Sequence, residues 1–405
     1  MDMNENVHRR ATRSVRVGGV VIGGGADGGI TDGEAIAPIV FQSMCATKTT
    51  DAAATAAMVI RLTAAGAGIV RVAVDTPADA AALVVIRRIL DDDPVGAAAN
   101  LSIDLQENWL LIEAAAPAIQ KARYNPGHLH HRDPATPWQE KVRRIADVAG
   151  QYNLALRVGV NCGSVDPALR EKFPRGNDTD GDLAALLASA VEHCEFLDRI
   201  GFTRYCVSLK DSDPATVVAL NRRFAAVTPM VPIHLGVTEA GMPPEAIRKT
   251  RRAFEPLLRD GIGETLRVSL TVPNAEKTLE IDAAREIVAD VAAGRFSDAD
   301  MDEMTPRLDI VSCPSCARVE NERFVELARE IRRQTRPFER LPVRIAVMGC
   351  RVNGPGETDD ADLGLWCGPD RVHLKRGTTL VGIFGYDEII GRFLGELRKF
   401  LPPGH

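Results

Sequence analysis

Residues 69–90 decide the fold. Ile69-Val70-Arg71-Val72-Ala73-Val74 is a short, mostly β-branched run, and Asp75-Thr76-Pro77 leads from it into the Ala- and Leu-rich stretch Ala78–Leu90. The first part has strand composition and the second a helical pattern. The same alternation recurs on both sides. Strand candidates are Pro38–Ser43, Ile69–Val74, Ala99–Asp104, Lys121–Asn125, Ala155–Asn161, Arg204–Lys210, Ile233–Glu239 and Thr265–Leu270. Helical stretches follow, among them Asp51–Ala65, Ala78–Leu90, Trp138–Ala149, Leu183–Ile200, Pro214–Ala226, Pro244–Leu258 and Glu276–Ala293. Eight βα units in roughly 250 residues predict a TIM-type (β/α)8 barrel. The competing doubly wound sheet places a glycine-rich phosphate loop after its first strand. Here the glycine-rich stretch, residues 23–29, precedes the first strand and lacks a following Lys-Ser/Thr, so it reads as a flexible loop.

A chain of 405 residues exceeds one ordinary core, and two domains are expected: a barrel over 1–294 and a small α/β domain over 295–405. In the second, Leu308–Ser312 and Val343–Met348 read as strands around a helix at Glu320–Gln334. A strand pair, Arg371–Lys375 and Thr379–Phe384, and a helix at Asp387–Phe400 close it. Apolar content of 45% with 26% charged residues fits a globular protein, and a net charge of −6 gives no basic field for nucleic acid. Met1–Val17 lacks the apolar core of a signal peptide, and no apolar run approaches membrane-spanning length. A cytoplasmic protein is expected, and the eight scattered cysteines are expected to be reduced.

In a barrel the active site gathers where strands end, and residues two apart share a face. Arg71, Arg123, Arg157, Lys210 and Arg267 fall at corresponding positions and converge on one mouth. One or two carboxylates cannot balance five buried cations, so an anionic substrate follows, and the planar guanidinium fork suits phosphate. Asp104 and Glu239 are the acids of the same mouth, available for proton transfer or hydroxyl binding.

Three cysteines stand close in the C-terminal part: Cys313-Pro314-Ser315-Cys316, and Cys350 within a stretch that reaches Glu357. A zinc ribbon needs a second Cys-x-x-Cys, and a thioredoxin-like dithiol leaves Cys350 unexplained. Three corners of an iron–sulfur cluster account for all three. The fourth ligand is either Glu357 or Cys367. A carboxylate is the harder and more labile ligand, which leaves one iron open to exchange. Cys367 would instead close the cluster into an electron relay.

These residues resemble the 4-hydroxy-3-methylbut-2-enyl diphosphate synthase family. The resemblance rests on Cys-Pro-Ser-Cys-Ala-Arg (313–318) and on Gly349-Cys350, with Val352 to Glu357 beyond. It extends through Gln42-Ser43-Met44, Ile69–Val72, Asn125-Pro126-Gly127, Arg157–Ser164, Ser208-Leu209-Lys210, His234–Gly241 and Gly261–Leu270. It implies a barrel joined to an iron–sulfur domain, in a homodimer. It also implies reductive opening of 2-C-methyl-D-erythritol 2,4-cyclodiphosphate by two electrons with loss of water, the electrons coming from reduced ferredoxin or flavodoxin. Carried over by position, Cys313, Cys316, Cys350 and Glu357 hold a 4Fe–4S cluster. Arg71, Arg123, Arg157, Asn161, Lys210, Arg267 and Ser269 bind the diphosphate, and Asp104, Thr238 and Glu239 lie near the carbon skeleton. The chain departs from the family at Ile103-Asp104-Leu105-Gln106-Glu107, where the family reads Ala-Asp-Ile-His-Phe and Gln106 replaces the histidine. The run Gly127–His131, with His128, His130 and His131, is also atypical and is read as a loop near the mouth rather than a metal site. The alternatives are an iron–sulfur electron-transfer or sensor protein on this scaffold and a zinc-stabilised hydrolase barrel.

Overall fold

The structure, a computed structural model, describes residues 7–26, 36–106, 108–162, 164–174, 180–297, 308–319, 321–350 and 354–401. Residues 27–29 of the glycine-rich stretch, residues 298–307 of the expected linker, Gly163 and residues 351–353 lie outside the described residues.

The decisive stretch folds as its composition dictates. The strand at Ile69–Ala73 is buried at every position, as a strand covered on both faces must be. The helix Pro77–Asp91 starts at a capping box in which Thr76 and Asp79 satisfy each other's backbone N–H groups, with proline in its first turn. Its buried stripe is Ala80, Leu83, Ile86 and Leu90, the spacing of one helical face. Each such large side chain contributes about 1.5–3 kcal/mol by burial.

An antiparallel hairpin, β1 (Val15–Val17) and β2 (Val20–Ile22), opens the chain. The barrel strands follow: β3 (Val40–Met44), β4 (Ile69–Ala73), β5 (Leu101–Leu105), β6 (Lys121–Tyr124), β7 (Ala155–Asn161), β8 (Tyr205–Lys210), β9 (His234–Leu235) and β10 (Thr265–Leu266). All eight pair in parallel in the order β8-β7-β6-β5-β4-β3-β10-β9, and a bridge between Val207 and Ile233 brings β9 back to β8. The result is a TIM barrel. The hairpin closes its lower end by packing Val15, Val17 and Ile22 on Val40, Ile69 and Ala155. Gly23 to Gly25 are not free: Thr12 donates its N–H to Gly24, and Ala37 donates to Gly23, at 2.8 and 3.0 Å.

Strands β9 and β10 are shorter than expected because the chain beyond them joins other partners. Two compact units result. One takes residues up to 237 with 249–268 and 278–297; the other takes 238–248, 269–277 and the residues from 298 onward. In this second unit Ala240 bridges Ser312, and Thr271 donates its N–H to the Gly241 carbonyl at 2.8 Å.

The second unit's sheet runs β11 (Asp309–Ser312), β12 (Arg344–Met348), β13 (Leu363–Cys367), β14 (Arg371–Arg376) and β15 (Thr379–Gly385), in that spatial order. The first two pairings are parallel and the last two antiparallel. Helices Arg323–Thr335 and Ile389–Leu397 bury Phe324, Ile331, Ile389, Phe393 and Leu397 against it. Strand β13 has no counterpart among the strands read from the sequence.

Candidate active site

Alternation along the barrel strands sends every second side chain inward. Pairing sets Asp104 beside Arg123, Arg123 beside Arg157, and Asn161 beside Lys210 on neighbouring strands. The five expected cations are all buried, with Arg157 1% and Arg267 3% exposed. Two carboxylates reach them. Arg123 donates to Asp104 at 2.9 Å, and Arg267 donates to both oxygens of Glu280 at 3.1 and 3.3 Å. Glu280, itself fully buried and also held by the Ser43 hydroxyl at 2.8 Å, is a counterion the sequence reading missed. Its helical position, remote in sequence from the strand ends, gave no signal.

Arg71 donates to the Met44 sulfur at 3.0 and 3.3 Å, and among the described residues Arg157 and Lys210 make no ion pair. Arg157 reaches only the Ser208 hydroxyl, at 3.4 Å, and its Nε–H has no partner among the described residues. Burial pushes Arg157 well below its usual pKa, and Arg71 and Arg123 push it further. Lys210 is driven the same way, first by burial and then by Arg157, Arg71, Arg267 and Arg123. Deeper in the barrel, burial lowers Lys121 to about 8 against the pull of the Cys206 thiol. Two glycines make room for the cations: a Cβ on Gly159 would collide with the Arg123 guanidinium, and one on Gly236 with the Lys210 ammonium. Five buried cations, paired among the described residues with Asp104 and Glu280, make an electrostatic cradle for a multivalent anion.

In the second unit the cysteines follow the ends of parallel strands β11 and β12, which lie at one edge of the sheet. Cys313 and Cys350 are 4% exposed, and Cys316 is half-buried. The Gly349 N–H donates to the Cys313 sulfur at 3.1 Å, and a side chain at Gly349 would strike the Phe324 ring. Burial raises the Cys313 thiol well above its usual pKa, and Cys350 and Cys316 raise it further. Buried thiols hold anionic sulfur only beside a cation. The turn that carries them is laced to the segment after β10: Thr271 Oγ1 bonds Ser312 Oγ at 2.7 Å and donates to the Cys313 carbonyl at 3.0 Å. The Ser315 hydroxyl donates to the Val272 carbonyl at 2.7 Å. Among the described residues no three His, Cys, Asp or Glu side chains are gathered as for a metal ion. A four-iron cube spreads its ligands more widely than one ion does. The donor set itself, buried thiols with an N–H bond to sulfur, fits such a group.

Glu357 lies half-buried on the short helix Gly354–Asp359. Cys367 is different. It is fully buried on β13 within the apolar core, where burial raises its thiol and the Tyr386 hydroxyl is its polar neighbour. Thr238, Glu239 and Ser269, read from the sequence as part of the barrel mouth, belong to the second unit. Glu239 is 1% exposed with φ +48, a left-handed backbone that is costly for a residue with a side chain, and its charge bears on Cys313. The histidine run forms a turn, Pro126–His128, and a helical turn, Leu129–Arg132. His128 and His131 stack at 4.6 Å.

Comparison with known proteins divides the chain by sequence. The GcpE TIM-barrel domain matches residues 12–285, and the GcpE protein C-terminal domain matches residues 309–399. The chain belongs to the GcpE family. A relative from Rhodopirellula baltica, 52% identical over 392 residues and matched over 96% of each chain, is a "4-hydroxy-3-methylbut-2-en-1-yl diphosphate synthase (flavodoxin)". One of the same name from Acidothermus cellulolyticus is 38% identical over 361 residues, covering 89% of this chain and 81% of its own. Among solved structures, dihydropteroate synthase from Stenotrophomonas maltophilia is similar with a TM-score of 0.45 and 14% identity, covering 64% of this chain and 96% of its own. Both GcpE parts are thus present, and the clamp cations sit in the first while the three cysteines sit in the second.

Proposed function

We propose that this GcpE-family chain is a cytoplasmic, homodimeric oxidoreductase that converts 2-C-methyl-D-erythritol 2,4-cyclodiphosphate to 4-hydroxy-3-methylbut-2-enyl diphosphate. The ring is opened, two electrons are consumed and water is lost. The observation that carries the reading is the buried cluster of Arg71, Arg123, Arg157, Lys210 and Arg267, in which Asp104 pairs with Arg123 and Glu280 with Arg267 while Arg157 and Lys210 make no ion pair among the described residues. A diphosphate supplies the missing negative charge, and each charge-assisted bond contributes about 1.5–3 kcal/mol. Asn161, at the inward end of β7, and Ser269 add neutral hydrogen bonds to the phosphates. Asp104, held on Arg123, keeps that guanidinium in place.

Cys313, Cys316, Cys350 and Glu357 hold a 4Fe–4S cluster in this reading, and the bound cluster supplies electrons one at a time from reduced flavodoxin or ferredoxin. Glu239 and Thr238 handle protons. A buried carboxyl whose charge acts on the cysteines can carry the proton that leaves with the hydroxyl as water. Among the described residues no helix is long and apolar enough to cross a membrane.

The test is anaerobic turnover of the cyclic diphosphate with a strong reductant, on protein whose iron and sulfide have been counted. Product at a rate that scales with cluster content is expected. Fully clustered protein that binds the substrate but forms no product would mean an electron-transfer or sensor protein instead.

A further inference from the structure

Beside the clamp lie one amide and one imidazole that the reaction as drawn leaves idle. Gln106 follows β5 and points the same way as Asp104. Arg123 donates from Nη1 to Asp104 at 2.9 Å and to Gln106 Oε1 at 2.8 Å, and from Nη2 to the Gly159 carbonyl at 2.8 Å. On its other side the Gln106 amide nitrogen stands 2.9 Å from His128 Nδ1.

The chemistry fixes every role in this chain. A guanidinium has donors only, so the amide must turn its carbonyl oxygen to Arg123. The amide NH2 then faces His128, and Nδ1 must be the bare, accepting nitrogen. A proton on Nδ1 would set donor against donor and turn the amide away. Surroundings keep the ring neutral, so that one nitrogen is free to accept: burial first and Arg123 next hold His128 down at about 3, with His131 and His130 adding to the effect and Asp104 opposing it. The backbone under the ring is pinned, since Asn125 accepts from the Gly127 N–H through its side chain at 3.2 Å and from the His128 N–H through its carbonyl at 3.1 Å. With Nη1 and Nη2 so engaged, Arg123 Nε–H remains buried and without a partner among the described residues.

We infer that Gln106 and His128 are positioning residues of the anion clamp: His128 orients the Gln106 amide, and the amide with Asp104 and the Gly159 carbonyl holds the Arg123 guanidinium in place among the buried cations. The inference rests on the diphosphate reading above.

Three full-length holoenzymes test it: wild type, His128→Leu and His128→Asn. Leucine removes the acceptor, whereas asparagine can offer Oδ1 in place of Nδ1. His128→Leu is expected to raise KM for the cyclic diphosphate about tenfold at nearly constant kcat and unchanged iron content, and His128→Asn to recover most of that loss. Imidazole nitrogen NMR of wild type should show Nε2–H and bare Nδ1 from pH 6 to 8. Wild-type KM in both variants, an asparagine variant no better than leucine, or a protonated Nδ1 would overturn the inference. If wild type turns over no cyclic diphosphate, the reaction assignment fails separately. Inorganic pyrophosphate affinity of the three proteins then decides the positioning claim, a weaker leucine variant rescued by asparagine supporting it and equal affinities refuting it.

Discussion

Arg157 shows what the empty clamp costs. It is 1% exposed, makes no ion pair among the described residues and reaches one hydroxyl at long range. An isolated buried charge destabilises a fold, and removing Arg157 relieves both its desolvation and its repulsion with Arg71 and Arg123. Arg157→Met should therefore raise the melting temperature of the ligand-free protein. It should also weaken the cyclic diphosphate by about 10- to 100-fold, the worth of one charge-assisted hydrogen bond. Thermal unfolding with and without substrate checks both. If the substrate stabilises Arg157→Met as much as wild type, Arg157 does not bind it. At this scale the sequence was highly legible: cations at alternating strand positions could be aligned on one face by period two alone. His128 was read as part of a loop near the mouth but its contact with Gln106 was not, and Glu280 was not legible, because a helix residue enters the site by tertiary packing, which no local spacing reports.

Elements decide whether those residues can meet. Strand β7 brings Arg157 and Asn161 inward, and between them Gly159 omits a side chain where the Arg123 guanidinium passes. Gly159→Ala should keep the barrel folded, since alanine suits a strand backbone, yet displace Arg123 and raise KM for the cyclic diphosphate by about tenfold or more. A KM equal to wild type would show that the guanidinium has slack. Strand β13 bears on a second question, the place of Cys367. Its Leu363–Cys367 was not read as a strand from the sequence, because the stretch has no β-branched residue and holds Gly364, which packs against Thr358 so tightly that a Cβ would collide with it. Once the strand is in place, Cys367 is a core side chain. Cys367→Ala should cost about 1 kcal/mol in unfolding and keep iron and turnover, whereas Glu357→Ala should lose turnover. Iron analysis and anaerobic assay of the two variants check this, and inactivity confined to Cys367→Ala would make that thiol the fourth ligand.

At the scale of the molecule, an acidic chain of net charge −6 keeps a cationic interior, so the attraction for a diphosphate is local rather than a long-range field. The organisation of the chain is also less sequential than its two family matches suggest. A cut near residue 294 follows the sequence pattern, yet the loops after β9 and β10 fold with the C-terminal residues. Thr271 bonds Ser312 and Cys313, Ser315 bonds Val272, and Arg332 donates to the Met242 carbonyl at 3.3 Å and pairs with Glu245. Removing residues from 298 onward strips these groups of their partners, and each buried polar group left unsatisfied costs about 1–3 kcal/mol. A chain of residues 1–297 should therefore melt well below the full-length protein and bind an apolar dye such as ANS, even though it retains all eight barrel strands. Differential scanning calorimetry of the two chains decides it. A truncated chain that melts at the full-length temperature without binding dye would show that the loops 238–248 and 269–277 are stable without the residues they pack against, and that the barrel is an independent folding unit.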